Sequence, residues 1–103
     1  MPNVVVRYRT KPECADENQA LVEKVFAELN AMDQTGLSYV SLRLDDGVSF
    51  VHVVIEDERG AAIALPDVPA FQAFTANIAE RCDEQPVAMG ATVVGSHGSA
   101  IAR

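Results

Sequence analysis

Residues 40–55, VSLRLDDGVSFVHVVI, decide the fold of this chain. Asp46-Gly47 stands between two alternating runs rich in β-branched residues. This pattern predicts a β-hairpin with a two-residue type I′ turn, because Gly and Asp best tolerate the positive φ that such a turn requires. A two-residue turn also sets the pairing of the strands, with Ser41 opposite His52. The hairpin is the frame on which the other elements are placed.

The predicted hairpin has two unlike faces, because side chains along a strand alternate between the two sides of a sheet. One face is aliphatic and collects Val40, Leu42, Leu44, Val51, Val53 and Ile55. The other mixes aromatic, polar and apolar residues and collects Tyr39, Ser41, Arg43, Phe50, His52 and Val54. Polarity alone predicts that the aliphatic face packs against helices and that the mixed face stays free of them.

Composition indicates one soluble globular domain spanning residues 1–103, with an ordered core over about residues 3–97. The chain has 103 residues, 49% hydrophobic and 22% charged, and a net charge of −7, which disfavours nucleic acid as a partner. The sequence contains neither a secretory apolar core nor a membrane-spanning run, so a cytoplasmic location is expected. Cys14 and Cys82 lack metal-ligand spacing and are predicted to be unpaired thiols rather than a metal site.

The segments before the hairpin predict a strand and a helix. Residues 3–10, NVVVRYRT, have the pattern of a central strand. A helix is predicted over about residues 17–32, with Asp16 opening a capping box and Gly36 closing the helix. Its apolar residues, spaced to form one buried stripe, are Leu21, Val22, Val25, Phe26, Leu29 and Met32.

The segments after the hairpin predict a loop, a second helix and a last strand. Within the loop over about residues 57–66, residues 61–65 form either a lid or a simple connector. Asp67 can cap a helix that has Pro69 in its first turn and Phe71 and Phe74 on its buried stripe. Gln85-Pro86 is expected to end that element before a strand over residues 87–96.

The order strand, helix, strand, strand, helix, strand predicts a ferredoxin-like α+β fold. Right-handed crossovers place the third strand between the first and the second, and the fourth strand on the far side of the first. The prediction is a four-stranded antiparallel sheet with two helices on one face. Its open, mixed face fits either a self-complementary interface or a cavity with a few polar groups.

The chain resembles the dimeric α+β barrel superfamily, and within it the antibiotic biosynthesis monooxygenase-like family. The resemblance rests on this element order, on VSFVHVVIED as third strand, on LPDVPAFQAFTANIAERC as second helix and on the final TVVGS. It implies a homodimer that pairs two sheets face to face. Some members oxidise aromatic polyketides with O₂ and neither metal nor flavin, and relatives oxidise quinols or degrade haem. The chain has no Trp, and its second helix has no His, which disfavours haem degradation.

The candidate catalytic residues are His52, Arg43 and Tyr39. His52 has the intrinsic pKa to take a proton from a phenolic substrate, and it can equally form a hydrogen bond across a dimer interface. Arg43 can stabilise an enolate or pair with Asp45, Glu56 or the partner subunit. Tyr39 can orient a phenol or be buried at the interface.

Further candidates for a substrate pocket or interface are Arg7, Arg9, Ser41, Phe50, Phe71, Phe74 and Thr92. Phe71 and Phe74 are core residues in the simpler interpretation and cavity walls in the other. The functional hypothesis is a monooxygenase without cofactor or metal that acts on a small aromatic or quinol. The alternative is a non-catalytic small-molecule-binding or assembly domain on the same dimeric scaffold. In both cases the mixed face meets a second copy, and any active site is made from what that contact leaves open.

Overall fold

A computed structural model describes residues 3–32, 36–56 and 65–97. The elements in chain order are β1 Asn3–Thr10, α1 Ala15–Ala31, β2 Leu37–Arg43, β3 Ser49–Glu56, α2 Pro69–Ala76, α3 Ile78–Arg81 and β4 Cys82–Gly90. The strands form one sheet in the order β2-β3-β1-β4, and the three neighbouring pairs are all antiparallel. The predicted ferredoxin-like α+β fold and its strand order are therefore confirmed.

The register of the hairpin is as predicted, with Ser41 opposite His52 in the ladder between β2 and β3. The turn is different. The C=O of Leu44 accepts from the N–H of Gly47 at 2.9 Å, and Gly47 takes a φ of 81°. The carboxylate of Asp46 accepts the N–H groups of Val48, at 2.9 Å, and Ser49, at 2.8 Å. The prediction of a two-residue type I′ turn is therefore wrong. In such a turn the N–H of Val48 would bond across the ladder, and here it donates to the carboxylate of Asp46.

The two faces of the sheet are reversed relative to the prediction. Under the helices lie Tyr8, Phe50 and His52, at 2%, 2% and 3% exposure, with Tyr39 partly buried beside them. The helix-packed core comprises Tyr8, Val22, Val25, Leu29, Phe50, Val68, Phe74 and Cys82. The aliphatic residues of the hairpin occupy the opposite face, where Leu42 is 49% exposed. Aromatic side chains bury more area than aliphatic ones, and the polar groups beside them bond to one another, so the mixed face forms the core.

Helix α1 buries the predicted stripe at Val22, Val25 and Leu29, whereas Met32 at its end is 38% exposed. The helix begins at Ala15 with Cys14 as its N-cap residue, following a 3₁₀ turn at Pro12–Cys14. The predicted capping box at Asp16 is therefore wrong, because the turn at Pro12 already starts the helical path.

Helix α2 begins at Pro69, as expected, but the side chain that serves its first turn comes from α1. The N–H of Ala70 donates to Oε1 of Glu28 at 2.8 Å. A carboxylate at this position satisfies a free N–H and complements the positive end of the helix dipole. The predicted cap Asp67 lies one residue before the actual N-cap residue, Val68.

The last strand starts earlier than predicted, at Cys82, and ends at Gly90. Gln85 and Pro86 do not end an element. They stand together in the stretch between the pairs Arg7–Val87 and Arg9–Glu84, where the register shifts. A bulge accommodates proline because the residue needs no ladder hydrogen bond there.

One prediction lies mostly outside the described residues: the lid or connector at 61–65, of which Leu65 alone is described. Cys14 and Cys82 are free thiols, as predicted. Across residues 3–32, 36–56 and 65–97, no helix is long and apolar enough to cross a membrane.

Candidate functional site

His52, in the middle of β3, lies at the centre of the buried polar groups. Its Nε2 is 2.8 Å from the hydroxyl oxygen of Tyr8, and its Nδ1 is 2.8 Å from that of Tyr39. Ser41, directly across the hairpin, places its Oγ 3.3 Å from the same Nε2. The ring of Phe74 stacks on the imidazole with centroids 5.4 Å apart. The structure therefore brings the predicted residues His52, Tyr39 and Ser41 together, and it places them under the helices.

The hydrogen bonds continue from Tyr8 of the sheet to residues of α1 and α3. Asn18 Nδ2 of α1 donates to the Tyr8 hydroxyl at 2.8 Å. Arg81 Nε, at the end of α3, donates to Asn18 Oδ1 at 3.1 Å, and Arg81 Nη2 donates to the C=O of Phe74 at 2.6 Å. We call the series Arg81, Asn18, Tyr8, His52 and Tyr39 the polar chain. Within the described residues, every buried side-chain nitrogen and oxygen has a hydrogen-bond partner.

Local sequence explains how α2 and α3 contribute Arg81. The helical path breaks at Asn77, whose φ of −126° and ψ of 28° are not helical. A break at this point leaves carbonyls of the last turn of α2 available, and Arg81 reaches back to one of them. Its guanidinium also lies over the Phe74 ring, 5.6 Å from the centroid. Arg81 is thus 5% exposed and donates hydrogen bonds from Nε and Nη2.

Sequence reasoning missed Tyr8, Asn18 and Arg81 as site residues. A signal for Asn18 was present, because it lies four residues before Val22 and therefore on the buried stripe of α1. A polar residue on such a stripe needs a buried partner. The sequence offers no comparable signal for Arg81, since its burial depends on the break at Asn77.

Burial controls the protonation of the polar chain. It lowers the pKa of His52 from 6.5 to about 4, so the imidazole is neutral at neutral pH. It raises the pKa of Tyr8 to about 12 and also raises the pKa of Tyr39. Arg81 is the one cationic member of the polar chain. A proton placed on His52 would create a buried cation, so transfer to it requires a compensating negative charge nearby.

A cleft of about 260 Å³ lies between α1 and the β2–β3 hairpin. Its lining combines apolar walls with polar groups and consists of Gln19, Val22, Glu23, Phe26, Ser41, Arg43 and Phe50. Ser41 is the residue at which this cleft meets the polar chain, since it also contacts His52. Apolar walls with a few placed polar groups are typical of small-molecule sites.

Arg43 holds its place in the cleft through several contacts. Its Nη1 donates to Gln19 Oε1 at 2.7 Å and pairs with Asp16 Oδ1 at 3.1 Å, and its guanidinium lies 5.7 Å from the centroid of the Phe50 ring. The predicted pairing with Asp45 or Glu56 is wrong, because Arg43 faces α1. Its ion pair lies at the surface, where the Asp16 side chain is 95% exposed, so the pair contributes little to stability.

The remaining predicted residues are not gathered at the cleft. Arg9 pairs with Glu84 at 3.1 Å on the surface. Arg7 faces the helix-free side, in an open groove of about 440 Å³ lined by Val5, Arg7, Val51, Val87, Met89, Gly90 and Ala91. Thr92 follows β4 and is exposed. Phe71 packs against Phe74 with ring centroids 6.0 Å apart, as a core residue.

Metal binding has no evident site in the part of the chain that the structure describes. Within residues 3–32, 36–56 and 65–97, no three His, Cys, Asp or Glu side chains converge as metal ligands would.

Comparisons with known proteins identify the fold. The chain matches no protein-family model, and no curated protein matches it significantly. Among solved structures, Rv0793 from Mycobacterium tuberculosis is similar with a TM-score of 0.69 and 18% identity, covering 93% of this chain and 97% of that one. NE2512 from Nitrosomonas europaea, a protein of unknown function, has a TM-score of 0.69 and 20% identity, over 95% of this chain and 93% of that one. An antibiotic biosynthesis monooxygenase has a TM-score of 0.70 and 16% identity, over 92% of this chain and 100% of that one. The resemblance inferred from the sequence is thereby confirmed at the level of the fold: the chain has the ferredoxin-like α+β fold of these solved structures, one of which is an antibiotic biosynthesis monooxygenase.

Proposed function

We propose that the protein is a cytoplasmic monooxygenase that binds a small aromatic or quinol-type substrate in the cleft and oxidises it with O₂, without a cofactor. The observation that carries the proposal is the position of Ser41. This residue lines the cleft and lies 3.3 Å from the buried Nε2 of His52, while Arg43 provides a cation at the same site. Fold likeness to one monooxygenase structure supports the proposal and does not by itself assign the activity.

The reaction needs a substrate that can lose a proton to give a delocalised anion. For an anthrone-type methylene, the balance is R₂CH₂ + O₂ → R₂C=O + H₂O, with the carbon oxidised and O₂ reduced. Ser41 passes the substrate proton to His52, and Arg43 stabilises the anion. The low pKa of His52 opposes this transfer in the empty cleft, and the anion formed beside it offsets part of that cost. Val22, Phe26 and Phe50 provide the apolar walls.

The direct test is oxygen uptake with a panel of anthrones and hydroquinones. The variants are Arg43→Ala and His52→Gln, and the matched control is Lys24→Ala, which removes an exposed cation of α1 outside the cleft lining. We expect turnover by the wild type and the control and strongly reduced kcat/KM in both cleft variants. If no compound is oxidised, or if the cleft variants match the wild type, the catalytic assignment fails.

A non-catalytic binding function is the second candidate, and one observation favours it. Arg43 is already engaged by Asp16 and Gln19, and neutral His52 is saturated with hydrogen bonds, so the site can hold a ligand without activating it. Isothermal calorimetry separates the two functions. Saturable binding of an aromatic phenol without oxygen uptake supports the binding domain and excludes the oxidase for that compound.

We propose that the protein forms a homodimer through the helix-free face of the sheet. This face carries exposed apolar side chains, among them Leu42, Val87 and Met89, the last 67% exposed. Apolar patches of this kind on a soluble protein are typical of association surfaces. Light scattering at micromolar concentration tests the proposal. The wild type should have the mass of a dimer, Leu42→Lys should have that of a monomer, and Ala20→Lys, at an exposed position on α1, should match the wild type. A monomeric wild type would contradict it.

A further inference from the structure

We infer that Arg81 and Asn18, outside the cleft, fix His52 in its Nδ1–H tautomer and thereby present Ser41 to the cleft as an acceptor for a ligand hydroxyl. Arg81 and Asn18 are then positioning residues, because they act on the cleft through Tyr8 and His52. The tautomer depends on the hydrogen bonds of the polar chain and on the neutrality of His52, and not on the proposed function. The preference for a ligand that donates a hydrogen bond rests on the proposed function and narrows its substrate class to free phenols.

The first step is the orientation of the Asn18 amide. Arg81 has donors and no acceptor, so the atom that faces its Nε at 3.1 Å must be the oxygen of Asn18. The amide nitrogen therefore faces Tyr8 and donates to its hydroxyl at 2.8 Å. The opposite orientation would set two donors against each other in a buried site, which costs free energy.

The second step is the proton of Tyr8. The Tyr8 hydroxyl accepts from Asn18, and its other described neighbour is Nε2 of His52 at 2.8 Å. If Nε2 carried a proton, the Tyr8 hydroxyl would accept twice and its own proton would be buried without a partner. Tyr8 therefore donates to an unprotonated Nε2. His52 is neutral, so its proton lies on Nδ1 and is donated to the Tyr39 hydroxyl at 2.8 Å.

The third step leads to the cleft. An unprotonated Nε2 can only accept, so Ser41 is the donor in its longer contact with that nitrogen, at 3.3 Å, and shares the single lone pair with Tyr8. The hydroxyl proton of Ser41 thus turns towards His52, and the lone pairs of Oγ remain for the cleft that Ser41 lines. A ligand with a free phenolic O–H can donate to Oγ, whereas its methyl ether cannot.

Nitrogen NMR of the imidazole tests the tautomer directly. The chain has two histidines, and His97→Gln removes the exposed one, so that the remaining signals belong to His52. We expect an unprotonated, pyridine-type signal from Nε2 and a protonated, pyrrole-type signal from Nδ1. If Nε2 of His52 gives the protonated signal and Nδ1 the unprotonated one in this protein, the inference is overturned.

Two substitutions test which residues set the tautomer. Asn18→Asp preserves the shape of the side chain and replaces the donor with an acceptor, so Tyr8 should donate to the carboxylate and the His52 proton should move to Nε2. Tyr39→Phe removes the far end of the polar chain and should leave the proton on Nδ1. An unchanged tautomer in a folded Asn18→Asp protein, or a changed one in Tyr39→Phe, contradicts the assignment of Arg81 and Asn18 as positioning residues. A cooperative thermal unfolding transition establishes that each variant is folded.

Binding of α-naphthol and its methyl ether tests the ligand preference. One net hydrogen bond predicts roughly threefold to tenfold tighter binding of the phenol by the wild type. Asn18→Asp should abolish that ratio, because the rearranged proton frees Ser41 to donate. Equal affinities in the wild type refute the acceptor role of Ser41. If the tautomer is as inferred and neither compound binds, the proposed function of the cleft fails while the positioning role of Arg81 and Asn18 stands.

Discussion

Acidification should destabilise this protein through His52. Burial lowers the pKa of His52 in the folded state to about 4, whereas the ordinary value of 6.5 applies to the unfolded chain. Below about pH 6.5 the unfolded chain therefore binds a proton that the folded chain does not. The stabilising contribution is fully present above that pH and is lost as the pH falls towards 4.

The magnitude follows from the difference between the two pKa values. Each pKa unit corresponds to about 1.4 kcal/mol, so the shift from 6.5 to about 4 corresponds to roughly 3 kcal/mol of unfolding free energy. This conversion is appropriate because His52 is 3% exposed and solvent screens it little. Against a typical total of about 5–15 kcal/mol, the loss is large enough to measure.

Urea denaturation as a function of pH is the assay, with the wild type compared with His52→Gln. Glutamine stays neutral throughout, whereas the carboxylates titrate in both proteins, so the difference between the two curves isolates His52. The wild type should lose roughly 3 kcal/mol more than the variant between neutral pH and about pH 4. His97→Gln, at an exposed position, should follow the wild type. Parallel curves for the wild type and His52→Gln would refute the burial argument.

Three further predictions test the burial of Tyr8, the conformation of Gly47 and the packing of Phe74. Burial raises the pKa of Tyr8 from its ordinary value of 10.0 to about 12. The contribution of Tyr8 to the free energy of unfolding is therefore complete below pH 10 and is lost as the pH rises towards 12. In a pH titration of the free energy of unfolding, Tyr8→Phe should lose roughly 3 kcal/mol less than the wild type over this range. Gly47→Ala should cost about 1 kcal/mol in chemical denaturation because Gly47 has a φ of +81°, whereas Gly95→Ala, with open space and no positive φ, should be neutral. Phe74→Ala should cost about 3–5 kcal/mol and Phe71→Ala less, because Phe74 is 4% exposed and Phe71 is partly exposed; equal losses would contradict the described core.

The order and pairing of the strands could be predicted from the sequence because they depend on local patterns and chirality. The pairing of Ser41 with His52 followed from the position of the turn, even though the turn type was wrong. The start of β4 could not be predicted in the same way. Pro86 indicated the end of an element, and a bulge opposite Tyr8 accommodates it instead.

The choice of the buried face could not be predicted from the hairpin alone. Strand alternation sorts the side chains into two sets but does not say which set meets the helices. Polarity favoured burial of the aliphatic set, because the hairpin alone does not show that His52 has enough partners to be buried. Tyr39 and Ser41 of the hairpin and Tyr8 of β1 bond to His52. Asn18 and Arg81, distant in the sequence and brought to the sheet by the helices, extend these bonds from Tyr8. A buried polar group with its bonds complete no longer opposes burial.

This reversal separates the ligand site and the assembly surface, which the sequence pattern placed on one face. Along β3, Phe50 and His52 face the helices and Phe50 lines the cleft, whereas Val51 faces the open groove on the other side of the sheet. A ligand site and an assembly surface built on opposite sides of one strand share its backbone and no side chain. A monomeric Leu42→Lys protein should therefore keep the tautomer of His52 and the phenol affinity of the cleft, and a loss of both would mean that the second copy completes the site.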